Sequence, residues 1–285
     1  MEGCRRSHPT IRPVPRTHTA ANHDDELSIA SEAARRAGRL QMERYERLER
    51  IVHKTEHDVV TEVDDMSEEL IISTIRQAFP RDAFLAEESG TSHVVAPAEG
   101  DVDEQRLWII DPLDGTVNYA NGIPIFCVSI GLVAGGRPVV GVVYDPVRDE
   151  LFSAQTGRGA RLDGQPIRHP AKEKMSDLVL SLALSRRGWA ERERRVRRRI
   201  RVSRVMGSAA LALAYVANGR FDGFVQSGGL SLWDICAAGL IAQEGGACVT
   251  TLAGGEWFGL SMADKSIGLL AAAPVHHKKL LELLA

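Results

Sequence analysis

Trp108-Ile-Ile-Asp111-Pro-Leu-Asp114-Gly-Thr116-Val-Asn118-Tyr119 is the stretch on which the reading of this chain turns. Residues 107–110 form a compact apolar run, consistent with a buried strand that ends at Asp111. Pro112 stiffens the chain, and Asp114-Gly115-Thr116 begins a turn or the start of a helix. Two carboxylates three residues apart at such a bend can point at one spot. Gly115 lets the backbone approach a ligand closely. The N–H groups of Gly115 and Thr116 can then receive a phosphate as a helix N-terminus does.

Three further segments share this chemistry. Leu232-Trp-Asp234-Ile-Cys-Ala-Ala-Gly-Leu-Ile-Ala-Gln-Glu-Gly-Gly246 places Asp234 in the first turn of a small-residue helix. Leu85-Ala-Glu87-Glu88-Ser-Gly90 offers a carboxylate pair, and residues 54–64 hold Asp58, Thr61 and Asp64. Taken singly, Asp-Gly is an ordinary turn, Asp234 an ordinary cap and Glu87-Glu88 an ordinary solvated pair. Those readings do not explain four segments with one logic. Hard oxygen ligands without converging His or Cys select magnesium, calcium or manganese over zinc. Carboxylates forced together repel strongly unless divalent cations neutralise them. Two such ions ~4 Å apart would bridge a phosphate, polarise it and lower the pKa of a bound water.

Outward from these segments, the pattern predicts a long helix over residues 24 to about 49, with Leu27, Ala30, Ala34, Ala37 and Leu40 at helical spacing. A second helix is expected from about 65 to 79, then a strand at 83–86 and an acidic loop at 99–104. Strands at 126–133, 138–144 and 151–154, with turn signals at Gly135-Gly136, Asp145-Pro146 and Asp163-Gly164, predict an antiparallel meander. From 178 onward strands and helices alternate: strands near 178–184 and 221–225, helices near 209–217 and 234–243. Helices and an antiparallel sheet therefore come first, and an α/β half comes after them.

The 285 residues suit one large domain or two tightly joined subdomains, divided here as 24–175 and 176–285. With 44% hydrophobic and 26% charged residues, the composition is that of an ordinary globular protein. A net charge of −3 gives the whole molecule no attraction for nucleic acid or an anionic membrane. No apolar run approaches the ~20 residues of a bilayer span. Cys4, Cys127, Cys236 and Cys248 form no metal-type spacing and read as inert thiols in a reducing compartment, the cytoplasm. Residues 1–23 lack the apolar core of a secretory signal. Their arginines fit an organelle transit peptide, but their prolines favour a disordered extension. The arginine run 186–204 reads as a solvated amphipathic helix with Trp189, Val196 and Ile200 turned inward, the sharper alternative being a basic patch for an anionic partner. His276-His277 is expected on a surface helix.

Together the four segments resemble the inositol monophosphatase family, within the lithium-sensitive, magnesium-dependent phosphatases. The family's first signature is similar to Asp111-Pro-Leu-Asp-Gly-Thr-Val-Asn118, and its second to Trp233-Asp234-Ile-Cys-Ala-Ala-Gly239 with Glu244-Gly-Gly246. The resemblance runs from about Asp24 to the C-terminus. It implies a five-layered α/β/α/β/α sandwich of mixed α/β class, usually a homodimer, that hydrolyses a phosphate monoester on a small polyol or sugar. It further implies that Glu87, Asp111 and the Leu113 carbonyl hold a first Mg2+, and Asp111, Asp114 and Asp234 a second. Glu87 with waters would hold a weaker third. Asp64 and Thr116 become the dyad that activates water, and the backbone at Gly115 and Thr116 the phosphate cradle. Lys54 is placed on a mobile loop over the site, and Ser208 and Ala209, after Gly207, on the substrate side.

One position departs from the family. Inositol-specific members carry a glutamate seven residues before the metal-binding aspartate, and here that residue is Ser227. The leading substrate is myo-inositol 1-phosphate; the rivals are fructose 1,6-bisphosphate, histidinol phosphate and a 3′,5′-bisphosphonucleotide. A reading of another class is a regulatory module that binds the transcription machinery through the arginine run.

Overall fold

The computed structural model describes residues 22–47, 51–55, 58–89, 106–184, 188–262 and 265–285, with the backbone alone for 51–61. The extension at 1–21, Cys4, the acidic loop at 99–104 and the side chains of Lys54, Asp58 and Thr61 lie outside the described residues.

Helix α1 (Asp24–Arg44) starts with Asp24, Asp25 and Glu26 at the positive end of its dipole. It buries Ala30, Ala33, Ala34 and Ala37, a stripe small enough to lie close on a sheet. It stops at Arg44, short of the expected end near 49. There Tyr45 leaves helical geometry (ψ 131°) and packs its ring against Tyr119 and Phe126, 5.5 and 5.2 Å between centroids. A hairpin of β1 (Ile51–Thr55) and β2 (Asp58–Thr61) then leads directly into α2 (Glu62–Ala78). The second helix thus begins ahead of the expected 65, and Asp64 falls inside its first turn.

Strands β3 (Ala83–Ala86), β4 (Leu107–Asp114), β5 (Cys127–Ala134), β6 (Arg137–Asp145), β7 (Glu150–Gln155), β8 (Ala160–Leu162) and β9 (Gln165–Ile167) form a seven-stranded sheet in sequence order. β3 is parallel to β4, and every later neighbour is antiparallel. The expected meander is therefore present. Between β4 and β5 lies a short helix, α3 (Thr116–Ala120).

The remaining elements are β10 (Val179–Ala183), α4 (Ala190–Arg197), β11 (Val202–Arg204), α5 (Ala209–Ala217), β12 (Gly223–Leu230), α6 (Leu232–Glu244), β13 (Cys248–Thr251), β14 (Ile267–Ala272) and α7 (Pro274–Leu284). Their strands build a five-stranded sheet in the order β11-β10-β12-β14-β13. Helices α1 and α2 cover one face of the first sheet through Ile71, Ile75, Phe84 and Trp108. α5 and α6 fill the space between the sheets, which explains why both are apolar on nearly every side. α4 and α7 close the outer face of the second sheet over Leu180, Val225 and Leu270. The layers form the five-layered α/β/α/β/α sandwich. Gly141 marks how tightly α6 lies on the first sheet: a Cβ there would stand 2.7 Å from the Ala237 carbonyl oxygen.

Two expectations need correction. The arginine run is not one helix; α4 covers only 190–197, and the chain then turns into β11 at the edge of the sheet. Val196 and Ile200 are buried and Trp189 packs beside them, as the periodicity predicts. His276 and His277 are buried, not on the surface. They lie in the first turn of α7, where His276 Nε2 is 2.6 Å from the Lys172 carbonyl oxygen and His277 Nε2 2.9 Å from the Thr250 hydroxyl. Burial lowers the pKa of His277. Cys127 and Cys236 are buried free thiols, and Cys248 is a half-buried one. Among the described residues no helix is long and apolar enough to cross a membrane.

Candidate active site

Strand β4 pairs regularly with β5 as far as Asp111 opposite Ser129, then slips, and pairing resumes with Asp114 opposite Cys127. Pro112 has no N–H to give to a ladder, so a bulge is the place a strand tolerates it. The slip carries Asp111 and Asp114 to a common side. Two bonds fix its shape: the Leu113 N–H donates to Asp111 Oδ1 (3.1 Å), and the buried Gln41 amide donates from α1 to the Pro112 carbonyl (2.7 Å). Gln41 is itself held, because the Tyr119 hydroxyl donates to its carbonyl oxygen (2.7 Å). Gly115 then turns the chain into α3 at φ 101°, and a Cβ there would meet the Ile125 carbonyl oxygen at 2.9 Å. Both facts demand glycine.

Asp114 reaches the N-terminus of α5 and caps it from another part of the chain. Its carboxylate accepts the Ser208 hydroxyl (2.5 Å) and the N–H groups of Ala210 (2.7 Å) and Ala209 (3.2 Å). Ser208 and Ala209, expected beside substrate, thus spend these donors on Asp114. Asp234 stands in the first turn of α6. Ser231 and Asp234 form a capping box, in which Asp234 Oδ2 accepts the Ser231 N–H at 2.5 Å. Ser129 of β5 donates to the Trp233 carbonyl oxygen (3.1 Å) and ties the start of α6 to the first sheet. An α/β turn of the second half thereby meets the bulge of the first.

One oxygen each from Asp111, Asp114 and Asp234 lies within 4.8 Å of the others, a group that could hold a metal ion. This crowding opposes ionisation. Burial, followed by the charges of Glu87, Asp114 and Asp234, pushes the Asp111 carboxyl well above the usual carboxylate range. Burial also raises Asp114, while the Ser208 hydroxyl and the α5 amides pull it back. A hard divalent cation would reverse this repulsion, and every donor is oxygen, so the residues fit such an ion. Glu87 lies just past β3, outside the three-aspartate set, with its N–H on the Ile110 carbonyl (3.2 Å) and its charge acting on Asp111.

The Thr116 hydroxyl is 2.9 Å from Asp64 Oδ1 and 2.9 Å from the Leu113 carbonyl oxygen. Its one proton can serve only one of these acceptors at a time. Asp64 is buried at the start of α2, so through this bond the helix reaches the residue just past the bulge. Lys54 falls in β1, where only the backbone is described. Ser227 is fully buried within β12, at an irregularity in its pairing with β14. It borders a cavity of about 520 Å3 whose walls include Trp189, Arg192, Thr251 and Leu252. Sequence reasoning missed Gln41, Glu68 and the role of Ser208 toward Asp114. Glu68 alone left a signal, since it comes four residues after Asp64 on one helix.

The layering, with an all-oxygen carboxylate cluster where two helix N-termini meet a strand bulge, defines an α/β sandwich with a site suited to a hard divalent cation. Residues 22–285 match the inositol monophosphatase family. Inositol monophosphatase 1 of Solanum lycopersicum is 37% identical over 241 residues, 81% of this chain and 86% of that protein. Nus factor SuhB of Pasteurella multocida is 39% identical over 268 residues, 90% of this chain and 94% of that one. The crystal structure of the extragenic suppressor protein suhB from Bartonella henselae superposes with a TM-score of 0.82 at 33% identity, covering 92% of this chain and 98% of that one. The chain belongs to the inositol monophosphatase family and is a phosphoric monoester hydrolase.

Proposed function

We propose that this chain hydrolyses the phosphate monoester of a small polyol, myo-inositol 1-phosphate first, using Mg2+. The observation that carries the reading is the three-aspartate cluster joined to the Thr116–Asp64 pair. Glu87, Asp111 and the Leu113 carbonyl would hold one ion; Asp111, Asp114 and Asp234 a second; Glu87 with waters a weaker third. When bound, such ions neutralise phosphate charge and lower the pKa of water.

The chain's own groups do the rest. Asp64 takes the Thr116 proton in hydrogen bonding, which leaves the Thr116 oxygen to accept from an attacking water and aim it. The bonds from Ser208 and the α5 amides fix Asp114. The N–H groups of Gly115 and Thr116, at the start of α3, would receive the phosphate. In-line attack by that water forms a new P–O bond as the ester P–O bond breaks, with no covalent enzyme intermediate; a proton given up by the water ends on the departing alcohol, and inorganic phosphate is the other product. Phosphate release across inositol 1-phosphate, fructose 1,6-bisphosphate, histidinol phosphate and a 3′,5′-bisphosphonucleotide tests the reading. Activity is expected to need Mg2+, to vanish with EDTA and to fall with lithium; full turnover in metal-free buffer refutes it. A homodimer in the cytoplasm belongs to the same proposal, and sedimentation measures the dimer.

A second reading is regulatory. It rests on the relative named Nus factor SuhB and on the exposed arginines of α4 and β11. Copurification of transcription proteins with wild type, lost when Arg195, Arg197 and Arg198 are reversed in charge, would support it. Unchanged copurification would remove it.

A further inference from the structure

We propose that Glu68 is the positioning residue for Glu87, and that α2 through it sets the affinity of the site for its cation. The inference rests on the proposed function, in which Glu87 and Asp111 hold a divalent ion.

Glu68 lies one turn beyond Asp64, so the two side chains share a face of α2. It is 5% exposed. Its two carboxylate oxygens accept two consecutive main-chain amides: the Glu88 N–H on Oε2 (2.8 Å) and the Ser89 N–H on Oε1 (2.9 Å). The amide just before them, Glu87 N–H, donates to the Ile110 carbonyl next to Asp111. Three successive amides are thus pinned, the first by the strand that delivers Asp111 and the next two by α2. A buried carboxylate is costly unless it is hydrogen-bonded. For Glu68 these two bonds exist only when the Glu87 segment is in place, so folding of that segment and desolvation of Glu68 are coupled. Glu68 meets the ligand segment through its main-chain amides, so it acts on Glu87 by orienting that backbone.

The same helix face carries Asp64, bonded to Thr116. α2 therefore braces two arms of the site at once: the segment bearing Glu87 and the hydroxyl that aims water. A small rotation of α2 moves both together.

Glu68→Gln keeps the size but loses the charge and turns an NH2 toward an N–H. Calorimetric titration with Mg2+ in the absence of substrate should show affinity weakened by about tenfold, the usual scale for a group supporting a metal ligand. The Mg2+ concentration for half-maximal activity should rise in parallel, while kcat at saturating Mg2+ changes far less. Glu69→Gln, at the exposed neighbour, should leave affinity as in wild type. Equal affinity in wild type and Glu68→Gln overturns the inference, whatever the change in Tm. Absence of Mg2+ binding by wild type would instead sink the functional reading, and this inference with it. If Glu68→Gln fails to fold, amide exchange in the metal-free wild type decides: protected Glu88 and Ser89 amides support Glu68 as the brace. Amides that become protected only on adding Mg2+ show that the ion orders the segment, and overturn it.

Discussion

Replacing Asp111 by Asn should stabilise the protein without metal and destroy its response to metal. Oxygens of Asp111, Asp114 and Asp234 lie within 4.8 Å of one another. At that separation two unit charges repel by about 3 kcal/mol at an effective dielectric constant of 20. Proton uptake by Asp111 relieves part of this in wild type, so the gain from removing its charge is about 1–3 kcal/mol near neutral pH. Asn keeps an Oδ1 to accept the Leu113 N–H, so the bulge is preserved. At roughly 2–4 °C per kcal/mol, metal-free Asp111→Asn should melt about 2–12 °C above metal-free wild type. The sign of the pH dependence comes from the raised pKa. Folded Asp111 holds its proton to higher pH than the unfolded chain, so wild-type stability falls as pH rises from about 3.9 through the folded value. The advantage of the variant should therefore be absent below that window, grow across it and level off above. Mg2+ reverses the order, since at a thousand times Kd it adds about 4.1 kcal/mol to wild type alone. Differential scanning calorimetry at several pH values, with EDTA and then with Mg2+, measures both halves. A metal-free variant that melts below wild type by a pH-independent margin would refute the argument, because Asp111 would then be a structural hydrogen-bonding group and not a repelled charge.

Asp114→Asn and Asp234→Asn should each nearly abolish kcat while circular dichroism remains that of wild type; near-normal kcat at saturating Mg2+ removes that residue from the ligand set. Thr116→Ala should lower kcat by about 10²-fold or more, the scale of acid–base assistance, and change Mg2+ affinity much less, as steady-state kinetics and calorimetry together would report. On the family resemblance Ser227 stands where inositol-specific members carry a glutamate, and if that position sets discrimination, wild-type kcat/KM for inositol 1-phosphate should lie within about tenfold, or 1.4 kcal/mol, of that for another small phosphate ester. A thousandfold preference across the panel would overturn this. Gln41→Leu removes the amide that holds the Pro112 carbonyl, and should cost about 1–3 kcal/mol in chemical denaturation; an unchanged midpoint would mean the bulge stands without it.

Much of this molecule is written in local sequence. The 3.6-residue spacing of Ala30, Ala34 and Ala37 fixes a helix, and Asp163-Gly164 fixes a hairpin, because backbone sterics and one-sided burial act over a few residues. The aspartates at 111, 114 and 234 were legible as candidate ligands because each sits at a strand end or helix start, where carboxylates are presented. The sequence did not determine their convergence. That depends on a slip between β4 and β5 and on the starts of α5 and α6 being carried to that slip from residues 209 and 232. Nor could it show that Ser208 serves Asp114, or that Glu68 grips Glu88 and Ser89 across 20 and 21 residues, since hydrogen-bonding propensity names a donor but not its partner. The burial of His276 and His277 has the same origin. An imidazole pair in a short polar helix looks solvated until the helix is docked on β14, and docking is a property of the assembled layers.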